Sequence, residues 1–495
     1  MNQLFHSSPL RNANQALNYE SGSLKVYLLS LLLLLRGLTL AITLIALLTN
    51  DPVLIGIAGG MMFSSFALGS GLKSRGHLRP STIVAATFAL QFAFTNAIAM
   101  SAYNKPSESR YLIYAHPEFF FTASLIGLAG GLALWLGIAL TEQRRISMNS
   151  SAGLLQVRLI VPERMTRPII LAVLIASIIL NAFAPIEKLG ILRDIVSLLP
   201  FLTVFLWARL LDLKERSAWI FLYVMITGLA AHAFFFSFLR ISMIMPVVFA
   251  ALGLLFAHGL KFLASVRIVP LAFLLILFAS VFTVFGDIRH SASVGVERYY
   301  IIRDKLQEEE EEDDHFTLIG RISTVNQLTQ VVRLTDENGF YGGATLDYLT
   351  YVFIPRFLWA DKPIIAKGQW FAAEIGQGSW LESGLFSNSI NMTIPGEFYL
   401  NFGWIGTILG CFVVGAILGL IHRAVASGGP NDLVGGAILA YVFWISTTLG
   451  ADLQIMVTLL GMYLLFVAIS FALHVLKEFG RPPQAPPISV LSHPS

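Results

Sequence analysis

Apolar residues in this chain come in runs of about twenty, parted by short polar linkers, and the runs recur from one end to the other. A helix of that length crosses a hydrocarbon core of roughly 30 Å. The pattern therefore predicts spans at 26–48, 53–72, 82–102, 118–140, 168–185, 192–210, 218–239, 242–260, 268–286, 398–421, 433–450 and 454–476. The sixth is the least regular, because Arg193, Asp194 and Pro200 interrupt it. No alternation of period two runs through these segments, which excludes a membrane β-barrel. The expected class is an all-α polytopic membrane protein with about twelve transmembrane helices.

The cationic residues sort with this division. With the N-terminus in the cytoplasm, 18 of the 33 Lys and Arg fall in cytoplasmic segments, and the short loops on the other side hold five: Lys105, Arg110, Lys188, Arg193 and Arg240. Such a bias orients multispan proteins, so both termini are expected inside. A polar tail, 1–25, precedes nine spans (26–286). A large outer loop follows at 287–397, then three spans (398–476) and a proline-rich cytoplasmic tail (477–495), expected to be disordered. The first 25 residues lack a hydrophobic core, so no cleavable signal peptide is expected.

The outer loop is the one large extramembrane piece. It carries 17 of the 30 acidic residues, among them the run Glu308 to Asp314, which reads as a solvated block and lacks the ligand alternation of a calcium loop. Within it, Leu318, Ile322, Val325, Leu328 and Val332 stand at helical spacing and predict an amphipathic helix over 316–334. Residues 345–360, TLDYLTYVFIPRFLWA, read as a short aromatic element in the membrane interface, broken at Pro355.

Composition agrees with this reading and narrows the chemistry. At 495 residues with 56% hydrophobic and 13% charged content, the chain holds more apolar surface than one soluble core could hide. Its net charge of +3 is too balanced to indicate a nucleic-acid partner. The lone cysteine, Cys411, excludes an intrachain disulfide and a CxxC zinc site. No Walker A, GxGxxG, HExxH or GxSxG pattern occurs in its required context, so the energy for any reaction must come from the substrate.

Two stretches carry a family resemblance. Ile354-Pro355-Arg356, then Trp359, then Asp361-Lys362-Pro363, resembles the signature of the O-antigen polymerase (Wzy-type, oligosaccharide repeat-unit polymerase) family. Gly396-Glu397-Phe398-Tyr399, followed by Asn401-Phe402-Gly403, resembles the segment by which that family returns to the membrane after its main outer loop. Gly342-Gly343 and Arg321 also fit, and the match covers about 85 residues. The resemblance implies a bacterial inner-membrane glycosyltransferase of O-antigen, lipopolysaccharide or exopolysaccharide biosynthesis, with a fold similar to the multispan (GT-C-like) lipid-sugar transferases. Such an enzyme transfers a growing glycan from undecaprenyl pyrophosphate to the sugar hydroxyl of an incoming lipid-linked unit, on the periplasmic face. Its implied partners are undecaprenyl-pyrophosphate-linked oligosaccharide, membrane lipids and a chain-length regulator protein. No cofactor or metal is expected, since pyrophosphate is already a good leaving group and no DxD-like ligand pair stands in the loop.

A pyrophosphate leaving group calls for cations at the outer ends of the spans, and the arginine fork grips phosphate bidentately. Arg240, Arg289, Arg321, Arg356 and Lys362 are the candidates; a simpler reading has each neutralising lipid headgroups or loop carboxylates. A general base for the acceptor hydroxyl is sought among His290, Asp287, Glu397 and Asp452, with His290, Glu397 and Arg356 taken as the catalytic set. Glu397 also suits a purely structural role, as a negative charge at a helix N-terminus. Arg36, Gln91, Asn96 and His232 are polar residues inside predicted spans, suited to a polar cavity or to interhelical hydrogen bonds. Two other readings share the span pattern: an O-antigen ligase, which differs in its acceptor, and a transporter or flippase of lipid-linked oligosaccharide. No pair of matching Gly/Pro-broken spans appears in the two halves, which lowers the transporter reading.

Overall fold

In the computed structural model the described residues are 9–73, 78–103, 116–142, 160–183, 191–236, 241–259, 262, 268–274, 323–354, 358–359, 361–363, 365–378, 389–426, 429, 431–448 and 453–479. Among them the regular structure is helical throughout, with no strand. The first set of helices comprises α1 (Pro9–Thr49), α2 (Pro52–Lys73), α3 (Pro80–Thr87), a π-helical segment (Phe88–Phe94) running into α4 (Thr95–Ala102), and α5 (Phe120–Glu142). After these come α6 (Glu163–Phe183), α7 (Ile191–Arg209), α8 (Arg216–Phe236) and α9 (Ile241–His258). The remainder are α10 (Val325–Asn338), α11 (Lys367–Glu374), α12 (Ile394–Val425), α13 (Leu433–Thr447) and α14 (Leu453–Phe479).

Among the described residues, five stretches are long and apolar enough to cross a membrane: Leu29–Thr49, Pro52–Gly71, Pro80–Ser101, Pro117–Glu142 and Ile394–Val425. They give the chain the character of a helical membrane protein. Four shorter apolar helices accompany them: Ile195–Arg209, Ser242–His258, Leu433–Thr447 and Met456–Ile469. α1 leaves Leu33, Leu40 and Leu48 exposed, as suits a helix whose solvent is hydrocarbon. It begins at Pro9, well before the expected span, and proline fits the first helical turn because its missing N–H has no partner there in any case. Between α1 and α2, Asn50 takes a left-handed conformation, and the Asp51 carboxylate caps α2 by accepting from Val53 N (2.8 Å) and Leu54 N (3.2 Å).

α5 and α12 form the most extensive helix pair, and glycine makes it so. A β-carbon on Gly415 would overlap the carbonyl of Leu134; one on Gly419 would overlap Thr141; one on Gly137 would overlap the carbonyl of Phe412. The backbones themselves therefore touch, the arrangement that small residues four apart permit between membrane helices. Since 130 faces 411, 134 faces 415 and 141 faces 419, the two helices run parallel.

Polar groups gather at the two ends of the bundle. At the end where α5 and α12 finish, the Glu142 carboxylate accepts from Ser81 N (3.3 Å) and Ser81 Oγ (2.5 Å), tying the start of α3 to the end of α5. Here too Asp432 caps α13 by accepting from Gly435 N at 3.0 Å, and Arg209 donates to the Gly429 carbonyl at 2.8 Å. At the other end the expected amphipathic helix is present as α10, with Val325, Leu328, Val331, Val332 and Leu334 buried; 316–322 lie outside the described residues. Leu328 packs beside Gly127 of α5 and Gly396 of α12.

Asn96, one of the polar residues inside a predicted span, docks α10. Its Oδ1 accepts from Ser323 Oγ and Thr324 N, both at 2.9 Å, and its Nδ2 donates to Thr324 Oγ1 at 3.0 Å. The π-helical segment just before it widens the helix, a feature that recurs at functional positions. Asn96→Leu is expected to strand the Thr324 N–H and the Ser323 hydroxyl, costing about 1–3 kcal/mol for each buried group. Hydrogen exchange at the first turn of α10 should then rise, with α5 unaffected.

Candidate functional site

α12 is not one straight rod. Gly403, at φ 63° and ψ −147°, reverses the chain and divides the helix into a short arm (394–402) and a long arm (404–425). In a straight helix residues 395 and 411 would stand roughly 24 Å apart. Instead Pro395 and the Cys411 sulfur both abut Gly130, and the Phe398 ring lies on Gly410. The continuous span expected over 398–421 is thus a helical hairpin. Only glycine adopts that φ/ψ pair without strain; Gly410 leaves room for the returning Phe398 ring, and Gly406 for the Phe398 carbonyl and the Phe402 side chain. The short arm starts at Thr393, whose hydroxyl accepts from Gly396 N at 3.1 Å, and Pro395 lies in its first turn.

The bend of this hairpin holds the segment before the aromatic element. Tyr341 N donates to the Leu400 carbonyl and Gly342 N to the Asn401 carbonyl, each at 3.0 Å. The Asn401 side chain completes the grip: its Oδ1 accepts from Gly343 N (3.0 Å) and Thr345 N (3.4 Å), and its Nδ2 donates to Thr345 Oγ1 (2.6 Å) and to the Glu397 carbonyl (2.8 Å). Because the Thr345 hydroxyl accepts from Asn401, its own proton is directed onto Glu397 Oε1, at 3.3 Å. Thr345, Glu397 and Asn401 are all buried, with Glu397 1% exposed and in the first turn of the short arm, where the helix dipole favours negative charge.

From this anchor the chain turns as a short 3-10 helix (Ala344–Thr350) and then in turns through Ile354; Pro355 and Arg356 lie outside the described residues. Tyr348 and Val352 are buried in a cluster with Val457 of α14. Lys362 Nζ donates to the carbonyls of Val352 and Ile354, both at 2.8 Å, and the residue is buried. Lys367, in the first turn of α11, pairs with Asp347 at 2.5 Å and stands over the Tyr348 ring. Burial, with Asp347 contributing second, pushes the Tyr351 phenol above its usual range, so it stays neutral.

Beside the hairpin lies an apolar groove of about 590 Å³. Leu349 lines one part of it, Phe398, Phe402 and Leu409 of α12 another, and Met456 and Leu460 of α14 the rest. It joins the aromatic segment to the membrane-spanning surface. No family model matches the chain, and neither curated proteins nor solved structures give a significant match to it.

Of the residues singled out from sequence, Lys362 and Glu397 fall in this assembly. Lys362 spends its ammonium protons on backbone carbonyls, and Glu397 is an oriented acceptor. Arg240, Asp287, Arg289, His290, Arg321, Arg356 and Asp452 lie outside the described residues. Arg36 is exposed on α1 beside Gly69 of α2. Sequence reasoning passed over Thr345 and Thr393. Thr393 had a legible signal, a threonine two residues before a proline that opens a helix; Thr345 had none, because its partners are more than fifty residues away.

Proposed function

We propose that this chain is a polymerase of lipid-linked oligosaccharide repeat units, a glycosyltransferase that moves a growing glycan from a polyprenyl pyrophosphate to the sugar hydroxyl of an incoming unit. One observation carries the reading. The second stretch that resembles the polymerase family holds, through Asn401 and Glu397, Gly343 and Thr345 at the head of the segment that runs into the first stretch, beside an apolar groove that suits a lipid tail. A lipid-linked substrate asks for that combination: a polar site at the membrane surface next to an apolar channel for its chain.

The proposal includes twelve spans with both termini in the cytoplasm of a bacterial inner membrane, and a site on the periplasmic face. The parallel run of α5 and α12 supports it, since predicted spans four and ten then point the same way, as an odd number of intervening crossings requires. In this reading the arginines of the outer loop, Arg356 first, grip the pyrophosphate as it leaves, and no metal is needed. His290 and Glu397 are the candidate bases; Glu397 has its acceptor oxygen fixed by Thr345.

The test uses purified protein in nanodiscs with undecaprenyl-pyrophosphate-linked repeat units and EDTA, read as a ladder on a gel. A ladder that vanishes with Arg356→Ala is the expected result. Absence of any ladder with folded protein and authentic substrate would overturn the reading, and translocation of the substrate across empty proteoliposomes without bond formation would replace it with a carrier.

A further inference from the structure

We infer that the aromatic part of the outer region, residues 349–354 together with Leu358 and Trp359, is a membrane wedge: its exposed side chains enter the glycerol and upper acyl zone of the adjacent leaflet. The inference requires only that the chain spans a membrane, and is independent of the enzymatic reading.

Tyr348 and Val352 are buried against Val457 of α14. Leu349, Phe353, Ile354, Leu358 and Trp359 are exposed, Leu358 at 71%. Five large apolar side chains on one short segment form the kind of patch that soluble surfaces do not carry without an occupant. The patch is continuous with the membrane-spanning surface: Leu349 lines the same groove as Phe402, Ile405 and Leu409 of α12, which are themselves exposed. A lipid leaflet that covers α12 and α14 therefore meets this segment next. Trp359 stands edge-to-face on Tyr351 at 6.0 Å, and tryptophan and tyrosine are the residues that favour the depth of the headgroups.

The backbone provides a second, separate argument. Turns in water leave carbonyls for solvent to satisfy; in a leaflet each such group costs several kcal/mol. Here the Tyr348 carbonyl accepts from Val352 N (2.8 Å), the Tyr351 carbonyl from Ile354 N (3.0 Å) and the Trp359 carbonyl from Lys362 N (3.2 Å). The carbonyls of Val352 and Ile354 take the Lys362 ammonium. A buried lysine used on two turn carbonyls is an expensive device at a wet surface, where water would serve. It is what a turn needs when water is absent. The ion pair of Asp347 with Lys367 marks the wet rim, before the apolar stretch begins.

Spin labels test this in the full chain, reconstituted in liposomes on a Cys411→Ala background. Labels are placed at Leu358→Cys and Phe353→Cys, with Glu337→Cys on the exposed part of α10 as the aqueous reference. Power saturation compares oxygen with a water-soluble nickel chelate. At 353 and 358 the ratio of oxygen to nickel accessibility is expected to exceed that at 337 by roughly threefold or more, as apolar groups sunk in the interface require. Adding Lys362→Met should lower the ratio at 358 while that at 337 stays fixed, because the freed carbonyls draw the turn toward water. Equal ratios at 353, 358 and 337 would overturn the wedge. An unchanged ratio at 358 in Lys362→Met would overturn the part assigned to Lys362.

Discussion

Gly415→Val is expected to dismantle the helical core. The new β-carbon would overlap the Leu134 carbonyl, and both contacting groups belong to the backbones of packed helices, so no side chain can swing aside. Overpacking a core by a few methylenes costs roughly 1–3 kcal/mol when side chains can yield; with backbone on both sides the figure lies at or beyond the upper end. Separating α5 from the long arm of α12 would also release Pro395, which packs on Gly130, and with it the short arm. The measurement is the fraction of monodisperse protein in detergent after a heating series. Gly228→Ala is the control: it has open space at its β-carbon, sits in α8 and should retain or slightly raise stability. If Gly415→Val survived heating as well as the control, the backbone contact between α5 and α12 would be wrong.

The second large effect is expected at Asn401. Its leucine variant removes the Asn401 side-chain bonds to Gly343 and Thr345, and leaves the half-buried Gly343 N–H and the buried Thr345 N–H without that acceptor. Each stranded group costs about 1–3 kcal/mol. The Thr345 hydroxyl also loses the donor that orients it, so Glu397 loses its fixed partner. Hydrogen exchange at 341–346 should rise sharply while the long arm of α12 stays protected. In the gel assay the ladder should weaken by roughly 10²-fold, the scale on which a small misplacement of reacting groups acts. Asn401→Asp keeps an acceptor for Gly343 N but gives up the donor to Thr345 and brings a second carboxylate near Glu397. It should protect 341–346 better than leucine does, yet lose most of the ladder. A leucine variant with native exchange at 341–346 would remove Asn401 from this role.

These two positions also divide what could be read in one dimension from what could not. The helices at 53–72, 118–140 and 433–450 are legible because a hydrocarbon solvent leaves the backbone no alternative to helix, so hydropathy alone marks them. α10 is legible for a different reason: the spacing of Val325, Leu328 and Val332 places one apolar stripe on a helix face. α11, KGQWFAAE, was not seen, since eight residues of mixed polarity show no period. The hairpin in α12 was missed because FYLNFGWIG is apolar without a break, and a glycine in such a run reads as an ordinary helical residue. Its φ of 63° is imposed by what the arms must meet: Pro395 at Gly130 on one side and Tyr341 at the Leu400 carbonyl on the other.

The candidate site repeats the lesson at the scale of side chains. The motif residues Lys362 and Glu397 stood out as charged groups beside apolar runs, but a charge in a sequence does not show its partner. In the fold Lys362 closes a turn and Glu397 receives the Thr345 proton. Hydropathy along the chain is thus enough to predict a helical protein apolar enough to live in a membrane, because this follows from the transfer energetics of successive residues. That residues 345 and 401 share a hydrogen bond, and that 415 meets 134, emerges only in the fold. Such pairings depend on which helix faces which, a choice made by close approach at a few glycines and by the need to pair every buried polar group.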